Sequence, residues 1–127
     1  MKPLSVAAVG EGLTGFALLV SPLIMVKLLF GVQIAGIGIV VGRVAGIALI
    51  ALGLACWPNR QRTESGSSAS LAMLAYSVLI APYLTYLGTA GHLGGLLLWP
   101  AVVLHAVVAL LLVWTWRNER QTKATNK

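Results

Sequence analysis

Acidic residues are nearly missing from this chain. Its 127 residues include three Asp or Glu, namely Glu11, Glu64 and Glu119. One falls in a polar loop and one in the tail, which excludes paired-carboxylate catalysis. Charge of either sign is scarce, at 9% of residues. A soluble domain covers its surface with roughly a quarter. From Ser65 to Trp116 there is no Asp, Glu, Lys or Arg at all. Water would not wet such a stretch, so a soluble fold is excluded and a bilayer is the natural solvent. There is one cysteine, Cys56, so no internal disulfide can form. At the end of an apolar segment it reads as a small filler rather than a reactive thiol. No P-loop, Rossmann glycine pattern, GxSxG, HExxH or CxxC is present. The balance leans away from an enzyme, and no cofactor is called for.

What is present is apolar, with hydrophobic residues at 58% of the chain. The pattern predicts an all-α integral membrane protein, a four-helix bundle running up-down-up-down. Its helices fall at about 4–22, 35–57, 69–87 and 96–116. Residues 1–117 form one transmembrane domain, and 118–127 a polar cytoplasmic tail expected to fray. Glu11 interrupts the first apolar run and no small-x-small site follows it, so that run reads as a retained helix and not a signal peptide. Pro22 ends or kinks the first helix. The apolar segment from Pro22 to Phe30, with Lys27 inside it, either continues that helix or lies in the interface. Asn59 to Ser70 is the polar loop, and a serine near Ser68 or Ser70 can cap the third helix. No internal repeat is visible.

Net charge is +6, but the basic residues sit at helix ends and in the tail, where lipid and orientation explain them and nucleic acid does not. With four crossings, Lys2, Arg60, Arg62, Arg117, Arg120, Lys123 and Lys127 share one side, against Lys27 on the other. The positive-inside rule then places both termini in the cytoplasm of a bacterial inner membrane.

The central stretch Ile34 to Trp57 carries a ladder of small residues, Gly38, Gly42 and Gly46, with Gly53 one heptad on. Four-residue glycine spacing lets two helix backbones approach closely. The partner is either another subunit or the first helix, through Gly12 and Gly15; the first helix is favoured.

Three ionisable residues lie far from any helix end: Glu11, Arg43 and His105. Helical rise places all three within reach of one layer, beside Tyr76 or Tyr83 and a carbonyl freed by Pro82. A lone charge at such depth costs at least ~2.5–3.5 kcal/mol, so pairing is expected. Glu11 with Arg43 is the one opposite-charge pair available in the membrane. That layer either binds a ligand or relays protons, or it is an ion pair that fixes helix register. No metal site is indicated. His92 and His105 are thirteen residues apart, about 20 Å along a helix, a spacing that suits two haems on one helix. His92 sits among glycines, however, which favours a turn.

The acid-containing, Gly-rich first helix, the Ser21-Pro22 break, the segment ending in Phe30-Gly31 and the run GRVAGIALIALGL resemble small four-helix bacterial inner-membrane proteins, the DoxX-like families and their relatives. The resemblance covers Gly10 to Leu54. It implies a four-helix inner-membrane bundle and, for DoxX proteins, an accessory role in quinone- or thiol-related redox systems. It transfers no functional residues beyond Glu11 and Arg43. Three readings follow: a non-enzymatic accessory subunit of a larger membrane complex; a small oligomeric transporter or proton-coupled carrier; and a haem- or quinone-binding redox protein.

Overall fold

A computed structural model describes residues 2–57 and 65–125. It is all-α, with five helices: α1 Lys2–Val20, α2 Pro22–Phe30, α3 Ile37–Ala55, α4 Ser65–Thr89 and α5 Leu98–Thr125. Three segments are long and apolar enough to cross a membrane: Ile37–Ala55, Ser68–Thr89 and Leu98–Asn118. The apolar part of α1, Leu4–Val20, is shorter. α4 begins at Ser65, inside the loop expected over Asn59 to Ser70 and ahead of the expected caps Ser68 and Ser70; residues 58–64 of that loop lie outside the described residues. Three further features of this layout set the packing.

The first is the Ser21-Pro22 break. Ser21 leaves the helical conformation, at φ −136 and ψ 64, and Pro22 opens α2 at its first turn. Proline is at ease there because that N–H has no helical partner. The break is one residue wide: Ser21 N–H still donates to the Ala17 carbonyl, and Met25 N–H to that of Ser21. Pro22 to Phe30 is therefore a helix of its own. Gly31, at φ 74, closes it as a left-handed cap whose N–H donates to the Lys27 carbonyl.

The second is the turn between α4 and α5. Gly95 N–H donates to the Leu29 carbonyl, and Leu97 N–H to that of Leu28. The end of α2 is thus strapped to this turn by backbone bonds. Gly95 is there because the Leu28 and Leu29 backbones pass where a Cβ would sit.

The third is the tail. α5 does not fray after Trp116 but continues to Thr125. The run RNERQTKAT contains neither glycine nor proline. The apolar part of α5 already supplies the costly helix nucleus, so extension adds a bond per residue.

The helices pack chiefly in two antiparallel pairs, α1 on α3 and α4 on α5. The first pair is held by close backbone approach. A Cβ on Gly46 would lie 2.6 Å from the Gly15 carbonyl oxygen, and one on Gly53 would lie 2.7 Å from the Ala8 carbonyl oxygen. A Cβ on Gly42 would lie 3.1 Å from Pro22 Cβ, while one on Gly38 would meet only Ile34, just ahead of α3. In lipid no hydrophobic force drives helices together, so this close dispersion contact must hold the pair.

The two pairs meet along α1 and α5. Leu4, Ala7, Ala8, Cys56, Met73, Val108 and Leu112 form one buried cluster from α1, the end of α3, α4 and α5. Cys56 is fully buried, and its thiol donates to the Ala69 carbonyl at 3.5 Å, tying the end of α3 to the start of α4.

The glycine contacts make a sharp prediction. Gly46→Ala must push α1 and α3 apart, an overpacking cost of about 1–3 kcal/mol. Gly12→Ala meets nothing within 4 Å, so it should be neutral or should stabilise by up to about 1 kcal/mol through helix propensity. Thermal unfolding in detergent should therefore show a lower midpoint for Gly46→Ala and an unchanged or higher one for Gly12→Ala. A lower midpoint for both, or for neither, contradicts the packing.

Candidate functional site

The inner stripe of α1 repeats at three- and four-residue steps: Leu4, Ala7, Ala8, Glu11, Gly15 and Leu18 are all buried. Glu11 is the one ionisable member, at 5% exposure. The inner stripe of α5 runs Leu98, His105, Val108, Leu112, and that of α4 runs Met73, Ser77, Leu84. Where α1 meets the α4–α5 pair, these stripes bring three polar side chains together. His105 Nδ1 lies 3.5 Å from Glu11 Oε1. Tyr76 also hydrogen-bonds to Glu11. The Tyr76 and His105 rings meet edge to face, with centroids 5.4 Å apart and planes at 83°. That is a favoured geometry, with a positive ring edge against a negative face.

A carboxylate accepts from both a phenol O–H and an imidazole N–H. Glu11 is thereby surrounded by donors rather than left alone in a low-dielectric interior, where an unpaired charge is costly. With one mobile proton the pair is either carboxylate with imidazolium or carboxyl with imidazole, and its net charge is zero in both. The cluster can therefore hold a proton at Glu11 Oε1 or at His105 Nδ1 without burying net charge.

Glu11, Tyr76 and His105 thus come together, and two expected members do not. The antiparallel contacts of Gly46 with Gly15, Leu18 and Leu19 set Arg43 level with about Val20. That is roughly 14 Å along α1 from Glu11. Arg43 also points outward and is exposed. The carboxylate partner of the site is the imidazole, not the guanidinium. Tyr83 lies two turns beyond Tyr76 on the same helix face, at 57% exposure, outside the seam. His92 sits in the exposed turn after α4 at φ 52, so the two histidines do not share a helix. Among the described residues no three His, Cys, Asp or Glu side chains group as a metal site.

Ser77 was not singled out by its sequence context. It is fully buried, and its hydroxyl has no hydrogen-bond partner among the described residues. A serine in mid-helix commonly donates to the carbonyl four residues back; Thr85, Thr89 and Thr115 of this chain do so. The available signal was a lone serine within the apolar run AYSVLI.

No family model, no curated protein and no solved structure matches this chain.

The geometry separates two double-mutant cycles. Glu11→Gln with His105→Gln removes both ends of one contact, so the losses should be non-additive by about 0.5–3 kcal/mol. Glu11→Gln with Arg43→Gln should be additive, since sites more than about 7–10 Å apart rarely couple. Coupling in the second cycle and not in the first contradicts the placement of these side chains.

Proposed function

We propose that this chain is a multi-pass protein of the bacterial inner membrane. α1, α3, α4 and α5 cross in up-down-up-down order, with both termini in the cytoplasm. α1 supports this reading because it packs antiparallel along α3 from Gly53 to Gly46. Its apolar part, about 25 Å by helical rise, is near the ~30 Å of a hydrocarbon core.

We further propose that it acts as a non-enzymatic accessory subunit of a larger membrane complex. One observation carries this. Arg43 is exposed on a spanning helix and pairs with no carboxylate of the described residues. A charge on the outer surface of such a helix is expensive in lipid, so the isolated chain is an incomplete object.

Native mass spectrometry after extraction in a mild detergent tests the reading. The expected result is a complex whose mass is not an integer multiple of the chain's own. Integer multiples alone would sink the subunit role. A reporter fused at the C-terminus should be active as a cytoplasmic marker, and one inserted at Gly94 as a periplasmic marker; the reverse pattern contradicts the topology.

A second reading rests on the Glu11–His105–Tyr76 cluster, which sits at the seam between the two helix pairs. A group that holds a proton at either of two atoms suits a proton-coupled carrier. In liposomes with a pH-sensitive dye inside, Glu11→Gln should abolish proton movement by the purified chain. Equal flux in the variant, or none in the wild type, removes this reading.

A further inference from the structure

α2 runs across the bundle rather than along it. Pro22, its first residue, is level with Gly42 of α3, where a Cβ would lie 3.1 Å from Pro22 Cβ. Had α2 kept the direction of α1, Leu28 would stand about 9 Å beyond Pro22. Instead the Leu28 and Leu29 carbonyls accept from Leu97 and Gly95, just ahead of α5. The Glu11–His105 contact sets the α1–α5 register and puts Leu97 level with about Leu19 of α1. α2 therefore lies nearly flat, and it crosses the seam from the α1–α3 pair to the α4–α5 pair. This is the end that the proposed topology makes periplasmic. Beneath α2 lie three buried leucines, Leu18, Leu84 and Leu98, one from each helix of the polar cluster. Each is seven or eight residues from its own cluster member, Glu11, Tyr76 or His105. They form a layer about 10–12 Å from the cluster, between it and α2.

We propose that α2 is the periplasmic gate of the Glu11–His105 site: it swings off the α4–α5 turn and admits water to the seam. The inference rests on the proton-carrier reading and adds the element that controls access from one side. The hold on α2 is light. Its far end is strapped by two backbone hydrogen bonds, and such bonds are modest in net strength because water replaces them on opening. Both ends of α2 are built as hinges. Ser21 is a single non-helical residue, and Gly31 is left-handed at φ 74. A few residues at the ends of an element are enough to absorb the φ and ψ change of a swing. The outer face of α2, with Leu23, Ile24, Lys27 and Leu28, is exposed, so outward movement unmakes no packing there. With α2 lifted, the leucines lose the element that lies over them and can part. On the opposite side the cluster is covered by Leu4, Ala8, Met73 and Val108. A carrier opens its site to one side at a time, and a strap that moves independently of that second cover allows it.

Locking the strap tests this directly. Leu28→Cys with Leu96→Cys sets two thiols beside it at exposed positions, while Cys56 is fully buried and out of a reagent's reach. A short bis-maleimide with a cleavable disulfide joins the pair in liposomes that hold a pH-sensitive dye. Joining should cut proton flux at least about tenfold, because a lid that cannot open gates every turnover. A membrane-permeant reductant should restore the flux in the same vesicles, which excludes misfolding. Each single-cysteine variant treated with the reagent should keep its full flux. Gly95→Ala gives the opposite sign. A Cβ there meets the Leu28 and Leu29 backbones and pushes α2 off the turn, so proton flux and hydrogen exchange at the Leu97 N–H should both rise severalfold. Gly94→Ala, with nothing within 4 Å of the new Cβ, should change neither. Equal flux before and after cleavage overturns the gate and leaves the proton reading standing, as does a Gly95→Ala variant no faster than Gly94→Ala. A pair that the reagent cannot join contradicts the strap itself. No flux from the unmodified chain removes both the gate and the reading beneath it.

Discussion

The backbones of α1 and α3 touch where Gly15 faces Gly46 and where Ala8 and Gly12 face Gly53. Any side chain at Gly46 would collide with a main-chain carbonyl 2.6 Å away. Such a contact allows very little sliding or rotation. It therefore fixes both the register of the pair and the direction in which every other residue on the two helices points. Glu11 turns away from α3 and toward the α4–α5 pair. Arg43 turns away from α1 and out of the molecule. Two charges that helical rise alone would put within reach of each other are separated by a choice made at the glycines.

What Glu11 meets instead is the seam between two helix pairs. His105 and Tyr76 close on it from α5 and α4, and the apolar cluster of Leu4, Ala8, Met73 and Val108 packs beside them. An interhelical polar contact in a membrane contributes on the order of 0.6–2 kcal/mol. That is modest, yet it acts between elements that lipid separates at almost no cost. Its position matters more than its strength, because it is polar glue between the two pairs. The same position gives it its chemical interest, since a proton held at a seam responds to any movement of one pair against the other. The strap of α2 onto the α4–α5 turn joins the pairs again at the opposite end.

Much of this was legible in the residues. The three longest spans, the interior status of Glu11 and His105, and the glycine-rich face of α3 follow from hydropathy and spacing, which left Tyr76 and Tyr83 as equal candidates. The choice of partner for Glu11 was not. Depth along a helix can be counted, but rotational phase depends on where two backbones touch, and four glycines offered several registers. The contact used Gly46 and Gly53 against Gly15, Ala8 and Gly12, left Gly38 outside, and set Arg43 about two and a half turns from the acid. Gly95 was equally opaque. It reads as a turn glycine, and only the passage of the α2 backbone shows that it is a packing glycine. Ser77 was hidden for the opposite reason: serine is common in apolar helices, and burial without a partner is a property of the packed state alone.

The account turns on which cation stands beside the buried carboxylate. Magic-angle-spinning NMR on the chain in lipid bilayers can settle it, with carboxyl carbons of glutamate and side-chain nitrogens of histidine and arginine labelled in separate samples. The Glu11 carboxyl carbon should dephase strongly against histidine nitrogen, as a 3.5 Å oxygen–nitrogen contact requires, and should be unaffected by arginine nitrogen. Dephasing by the guanidinium of Arg43, with none from His105, would contradict the α1–α3 register and everything built on it.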